Sequence, residues 1–118
     1  MKLLLVAAGT CLAAATALAG GSDETAFLAD NDTAMKKMMA AMTIEPSGDV
    51  DRDFVAMMVP HHQGAIDMAQ AELRYGHNET LRRMAQEIIV TQQQEIAAMR
   101  LALSQPLRPS APSLNQNH

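Results

Sequence analysis

Phe54-Val55-Ala56-Met57-Met58-Val59-Pro60-His61-His62-Gln63-Gly64-Ala65-Ile66-Asp67-Met68-Ala69 is the stretch that decides the fold. At 100° per residue, Met57, Met58, His61, Ala65, Met68 and Glu72 fall within about 60° of the direction of Phe54, so the spacing predicts a helix with one apolar side. An imidazole sits in the middle of that side. Thioether and imidazole four residues apart on a helix are neighbours, close enough to share one small ion. The opposite side is polar, with Arg52, Gln63, Asp67, Gln70 and Arg74. Val55, His62, Ile66 and Leu73 form a second apolar flank beside the first, giving an apolar arc of about 200° that calls for more than one packing neighbour. Pro60 deletes one backbone hydrogen bond at a cost of about 3 kcal/mol. Because the apolar phase continues across it, the pattern predicts one bent helix from about Asp51 to Tyr75, in preference to a restart with Pro60 in its first turn.

Outward from this helix the punctuation is clear. Upstream, Met35, Met38, Met39 and Met42 repeat at i, i+3, i+4, i+7, the mark of a helix that starts between Ser22 and Thr33 and ends near Thr43. Pro46 and Gly48 break it, and Asp49 or Asp51 caps the central helix. Downstream, Gly76 ends the central helix and Asn78 caps a third, from Glu79 to about Ser104. Its stripe is Leu81, Met84, Ala85, Ile88, Gln92, Glu95, Ile96, Met99 and Leu103, with Gln92 and Glu95 as polar interruptions. A short turn makes the last two helices antiparallel neighbours. Counting from a turn centre between Gly76 and His77 sets His61 level with Gln92, Met58 with Glu95 and Phe54 with Met99. The expected fold is an all-α three-helix bundle over residues 31–104, with arcs broad enough for a homodimer to complete the bundle.

A chain of 118 residues holds one domain. Lys2, the apolar run Leu3 to Ala19 and the small-x-small site Ala17-Leu18-Ala19 predict a signal peptide over residues 1–19, cut before Gly20. A lipoprotein signal at Cys11 is a weaker alternative, because Thr10 precedes it and the apolar core would be cut short. Residues 20–30 are expected to be a flexible segment, and residues 105–118, with three of the prolines, a disordered tail. Cleavage would remove the only cysteine and Lys2, leaving 8 basic against 13 acidic residues and a net charge of −5 with neutral His. An acidic surface without a basic cluster argues against nucleic acid and anionic lipid as partners. The expected location is periplasmic or secreted, with no membrane contact after cleavage.

Soft-metal chemistry in such a chain must come from methionine and histidine. Ten Met stand against no Trp, two Phe and one Tyr. Composition alone favours Met as filler of a core poor in aromatics. Position favours more: His61 with Met57, Met58 or Met68 can bind a metal, His62 can complete that site or hold another ion, and Gln92 or Glu95 can orient the imidazole. Met35, Met38, Met39 and Met42 are further candidates from the first helix. Thioether with imidazole suits Cu(I), and imidazole tolerates Cu(II); zinc would want more His or Cys. Protonation of imidazole competes with the metal below about pH 6. The bland alternative is a structural network of His61, Gln92 and Glu95, partnering one another to offset burial. Glu72 is better suited to a salt bridge, and His77 and His118 to solvent. Motifs for an enzyme are missing: the sequence has no Glu-x-x-His for a di-iron bundle, no Gly-rich phosphate loop and no Gly-x-Ser-x-Gly.

Phe54, Met57, His61-His62, Ala65, Met68-Ala69, then Gln92, Glu95-Ile96 and Met99, give residues 50–104 a specific likeness. The chain resembles the bacterial "domain of unknown function 305" family, which includes the CopM-type periplasmic copper-binding proteins. The resemblance implies a ferritin-like helical bundle, export, and copper binding for buffering or tolerance. It also implies ligand roles for His61, His62 and the nearby methionines, supported by Gln92 and Glu95. The competing expectation is a non-enzymatic helical module whose Met-rich faces bind a partner or a second copy.

Overall fold

The computed structural model describes residues 15–105, the first six by backbone alone. Most of the expected signal peptide, and all but residue 105 of the expected tail, lie outside the described residues. Three helices make up the fold, α1 (Ala15–Met42), α2 (Val50–Tyr75) and α3 (Glu79–Ala102). Among the described residues there is no strand, and none of the helices is long and apolar enough to cross a membrane. The protein is an all-α helical bundle.

Side-chain caps set the helix limits. The Asp49 carboxylate accepts from the Asp51 and Arg52 amides at 3.0 and 3.3 Å, and Asn78 accepts from Thr80 and Leu81 at 3.0 and 3.1 Å. Each satisfies N–H groups that a first helical turn leaves open. Gly48 takes φ +84° in the loop before α2, a left-handed conformation that suits glycine. α2 runs unbroken through Pro60, as the continuous apolar phase predicts. The α2–α3 turn is held by Arg82, whose Nη1 donates to the carbonyls of Leu73 at 2.7 Å and Gly76 at 3.0 Å. These are carbonyls at the end of α2, where a cation is favoured.

α1 differs from expectation. Residues 20–30, expected to be flexible, belong to the helix Ala15–Met42. Local and tertiary ties offset the low helix propensity of Gly20-Gly21. The Thr25 hydroxyl donates to the Gly21 carbonyl at 2.8 Å, His77 comes within 3.5 Å of Asp23, and further along Arg74 of α2 holds Asp30 at 2.7 Å.

α2 is the middle of the bundle. α1 packs on it and α3 packs on it, while the backbones of α1 and α3 do not pack on one another. Towards α1, α2 presents Gly64; a Cβ built there would lie 2.6 Å from the Met38 sulfur, so the missing side chain is what admits the first helix. Ala71, seven residues on and therefore on the same side, is fully buried. Towards α3, α2 presents the side of Val55, His62, Ile66 and Ala69, all buried, and α3 answers with Ala85 and Ile96. The core is thus alanine, valine and isoleucine. None of the nine methionines after the initiator is buried, which overturns the expectation that methionine fills the core.

Candidate metal centre

His62 is the only buried polar or charged residue among those described. Both of its ring nitrogens have partners. Nδ1 lies 2.8 Å from the carbonyl oxygen of Met58, one turn back on α2, and Nε2 lies 2.5 Å from Oε2 of Glu95 on α3. A carbonyl oxygen and an ionised carboxylate accept hydrogen bonds and donate none. A neutral imidazole has a single N–H and can complete only one of these contacts. The other needs one more positive particle: a second ring proton, a proton on Glu95, or a cation. With Nδ1–H donating to Met58, the Nε2 lone pair and the Glu95 oxygen converge on one point, the arrangement by which a backbone carbonyl fixes the tautomer of a metal-binding histidine. At 2.5 Å the contact is that of a hydrogen-bonded or ion-paired imidazole and carboxylate, and a metal ion would bind there only with the two side chains parted.

The expected partners are brought together differently. Counting put Glu95 level with Met58; it meets His62, one turn further along α2. Helical side chains lean towards the N-terminus of their own helix. In an antiparallel pair, His62 leans away from the turn while Glu95 leans towards it, so they meet although their backbones sit at different heights. The histidine at the seam is also the other one of the pair. His61 is exposed, its ring centroid 6.0 Å from that of His62 and its plane turned by 62°. The network expected of His61, Gln92 and Glu95 becomes a contact of His62 with Glu95, while Gln92 is half-buried on α3.

Met57 is exposed and Met58 half-buried on the same side of α2 as His61. Met68 lines a separate open hollow with Glu72, Leu81, Met84 and Ile88, and neither His61 nor His62 lines it. In α1, Met38 lies against Gly64, two residues and about 200° around α2 from His62. It therefore faces another side of α2, and Met35 and Met39 are exposed, with Met42 half-buried. His77 comes within 3.5 Å of Asp23 at the surface, and His118 lies outside the described residues. Among the described residues, no group of three or more His, Cys, Asp or Glu gathers as one chain's metal site.

Sequence reasoning missed Arg82 and the His62–Glu95 pairing. The signal for the pairing is present: Val55, His62, Ile66 and Ala69 recur at seven, four and three residues, the spacing of a two-helix seam. No curated protein matches the chain. The model of the family described as "Domain of unknown function (DUF305)" matches residues 9–103, most of the chain, and the protein belongs to that family.

Proposed function

We propose that this is an exported, non-enzymatic metal-binding protein that holds copper through His and Met side chains, for periplasmic buffering or tolerance of the CopM type. The observation that carries this reading is the convergence of the His62 Nε2 and a Glu95 oxygen to 2.5 Å, with Nδ1 held by the Met58 carbonyl. Imidazole with carboxylate suits Cu(II), and the thioethers of Met57, Met58 and Met68 on the adjoining side of α2 suit Cu(I). Copper is the ion that both donor types accommodate. His61 supplies a second imidazole at the surface, where an ion can enter from water.

The test is a competition titration of the purified protein with Cu(I) and with Cu(II), against His62→Ala and against the double variant His61→Ala, Met58→Ala. Affinity should fall by about 10-fold or more in both variants, as loss of a ligand requires. Unchanged affinity in His62→Ala would remove the site.

A second reading, a helical interaction module, has its own observation: Leu81, Met84 and Ile88 are large, apolar and exposed around one open hollow between α2 and α3. Capture of a protein partner with unchanged affinity in the presence and absence of copper would favour it.

A further inference from the structure

The methionines after the initiator divide by exposure. Met35, Met39, Met57 and Met84 are 42, 58, 37 and 51 % exposed, while Met38, Met42, Met58, Met68 and Met99 are half-buried. A thioether in contact with water is open to two-electron oxidants, which turn a flexible apolar side chain into a polar, chiral sulfoxide. The usual consequence is damage, because methionine commonly fills cores and the sulfoxide disrupts them. Here the buried hydrophobic side chains among the described residues are alanine, valine and isoleucine.

What holds the helices together lies away from the exposed sulfurs. α1 is seated on α2 at Gly64, where Met38 makes the close approach, and Arg74–Asp30 ties the same two helices. The α2–α3 seam rests on Val55, Ile66 and Ala69 and on the contact of His62 with Glu95. Met84 borders an open hollow of about 340 Å³, with room for one more oxygen atom. No thiol would react first in the exported chain, since the only cysteine, Cys11, falls within the expected signal peptide.

We infer that Met35, Met39, Met57 and Met84 form a reversible oxidation site, a set of thioethers that takes oxygen from hydrogen peroxide while the bundle stays folded. In each event a sulfur lone pair attacks one peroxide oxygen. The O–O bond breaks, an S–O bond forms, and sulfur gives up two electrons. The hydroxyl proton passes to the departing hydroxide, which leaves as water. Return to the thioether needs a sulfoxide reductase that releases the oxygen as water while two thiols become one disulfide. Exposure gives such an enzyme access to all four side chains. For copper, the sulfoxide replaces a soft sulfur by a hard oxygen, so oxidation of Met57 removes a Cu(I) donor and leaves His62 and Glu95 unchanged. Peroxide would then weaken Cu(I) binding and spare Cu(II). That consequence rests on the copper reading; the oxidation site does not.

The test treats the metal-free purified protein with hydrogen peroxide and follows each methionine by proteolysis and mass spectrometry. The exposed four should oxidise at least about 3-fold faster than the half-buried five, with the far-UV spectrum and urea midpoint of the untreated protein. One common rate for all nine, or loss of helicity once these four are converted, would overturn the inference. The variant with Met35→Leu, Met39→Leu, Met57→Leu and Met84→Leu should fold alike and lose the fast phase; a fast phase that persists in it would place the site elsewhere. A methionine sulfoxide reductase should return the folded protein to its starting mass, and sulfoxides reduced only after denaturation would overturn reversibility. Cu(I) affinity of the oxidised protein should fall by about 10-fold or more at constant Cu(II) affinity. Equal Cu(I) affinity before and after would overturn the copper consequence alone. Failure of the untreated protein to take up either ion would refute the copper reading and leave the oxidation rates to decide the site.

Discussion

At the scale of single residues, His62 is tied on one side to the Met58 carbonyl and on the other to Glu95. Glu95→Gln tests what the carboxylate does. A glutamine amide donates an N–H to the Nε2 lone pair, so the contact stays closed without a shared proton. Stability should then change by less than about 1 kcal/mol in urea denaturation. Copper affinity should fall by about 10- to 100-fold once the oxyanion is gone. Equal affinity in both proteins would leave Glu95 with a structural role alone. That a histidine of α2 lies in the seam with α3 was legible in the sequence, but which histidine was not. Adjacent residues point 100° apart, and the apolar arc was wide enough to include both. The stripe with Phe54 and the methionines holds the longer apolar side chains, yet the seam is built on the branched Val55 and Ile66 with Ala69. Small and branched side chains let two backbones approach, whereas a run of long thioethers holds them apart.

At the scale of elements, the three helices, their caps and the unbroken passage through Pro60 followed from periodicity and punctuation. The start of α1 did not, because its first half meets α2 and the following turn through contacts such as His77–Asp23 that no local pattern announces. The antiparallel pairing of α2 and α3 was legible too, while its side-chain register was displaced by the lean of side chains along each helix. Two substitutions probe these joints. Gly64→Ala gains helix propensity of about 0.5–1 kcal/mol but sets a methyl group against Met38, at an overpacking cost of about 1–3 kcal/mol. A net loss near 1 kcal/mol should appear as a lower urea midpoint, and a gain would mean that α1 yields freely. Arg82→Ala removes two charge-assisted hydrogen bonds to the end of α2 and should destabilise by about 1–2 kcal/mol. A change within error would show that the turn is set by Gly76 and Asn78 without it.

For the whole molecule, the distribution of methionine is the feature that composition concealed. Ten Met in an aromatic-poor chain suggested a soft core, yet the buried residues among those described are Ala, Val, Ile, Gly64 and His62, and none of the nine methionines after the initiator is buried. A single copy therefore keeps its thioethers accessible to an ion or to a second copy. If the hollow between α2 and α3 closes by self-association, Tm must rise with protein concentration, since assembly stabilises by mass action. Differential scanning calorimetry over a hundredfold range should show that rise in the wild-type protein and a constant Tm in Met84→Glu, Ile88→Glu; a flat Tm in both would argue for a lone chain. The most direct measurement concerns the imidazole at the α2–α3 seam. Nitrogen-15 NMR of the histidine rings during anaerobic addition of Cu(I) should move the Nε2 resonance of His62 while Nδ1 keeps its proton and its bond to Met58. If one equivalent of copper binds and both nitrogens of His62 stay where they were, the metal sits elsewhere and the account of this site is wrong.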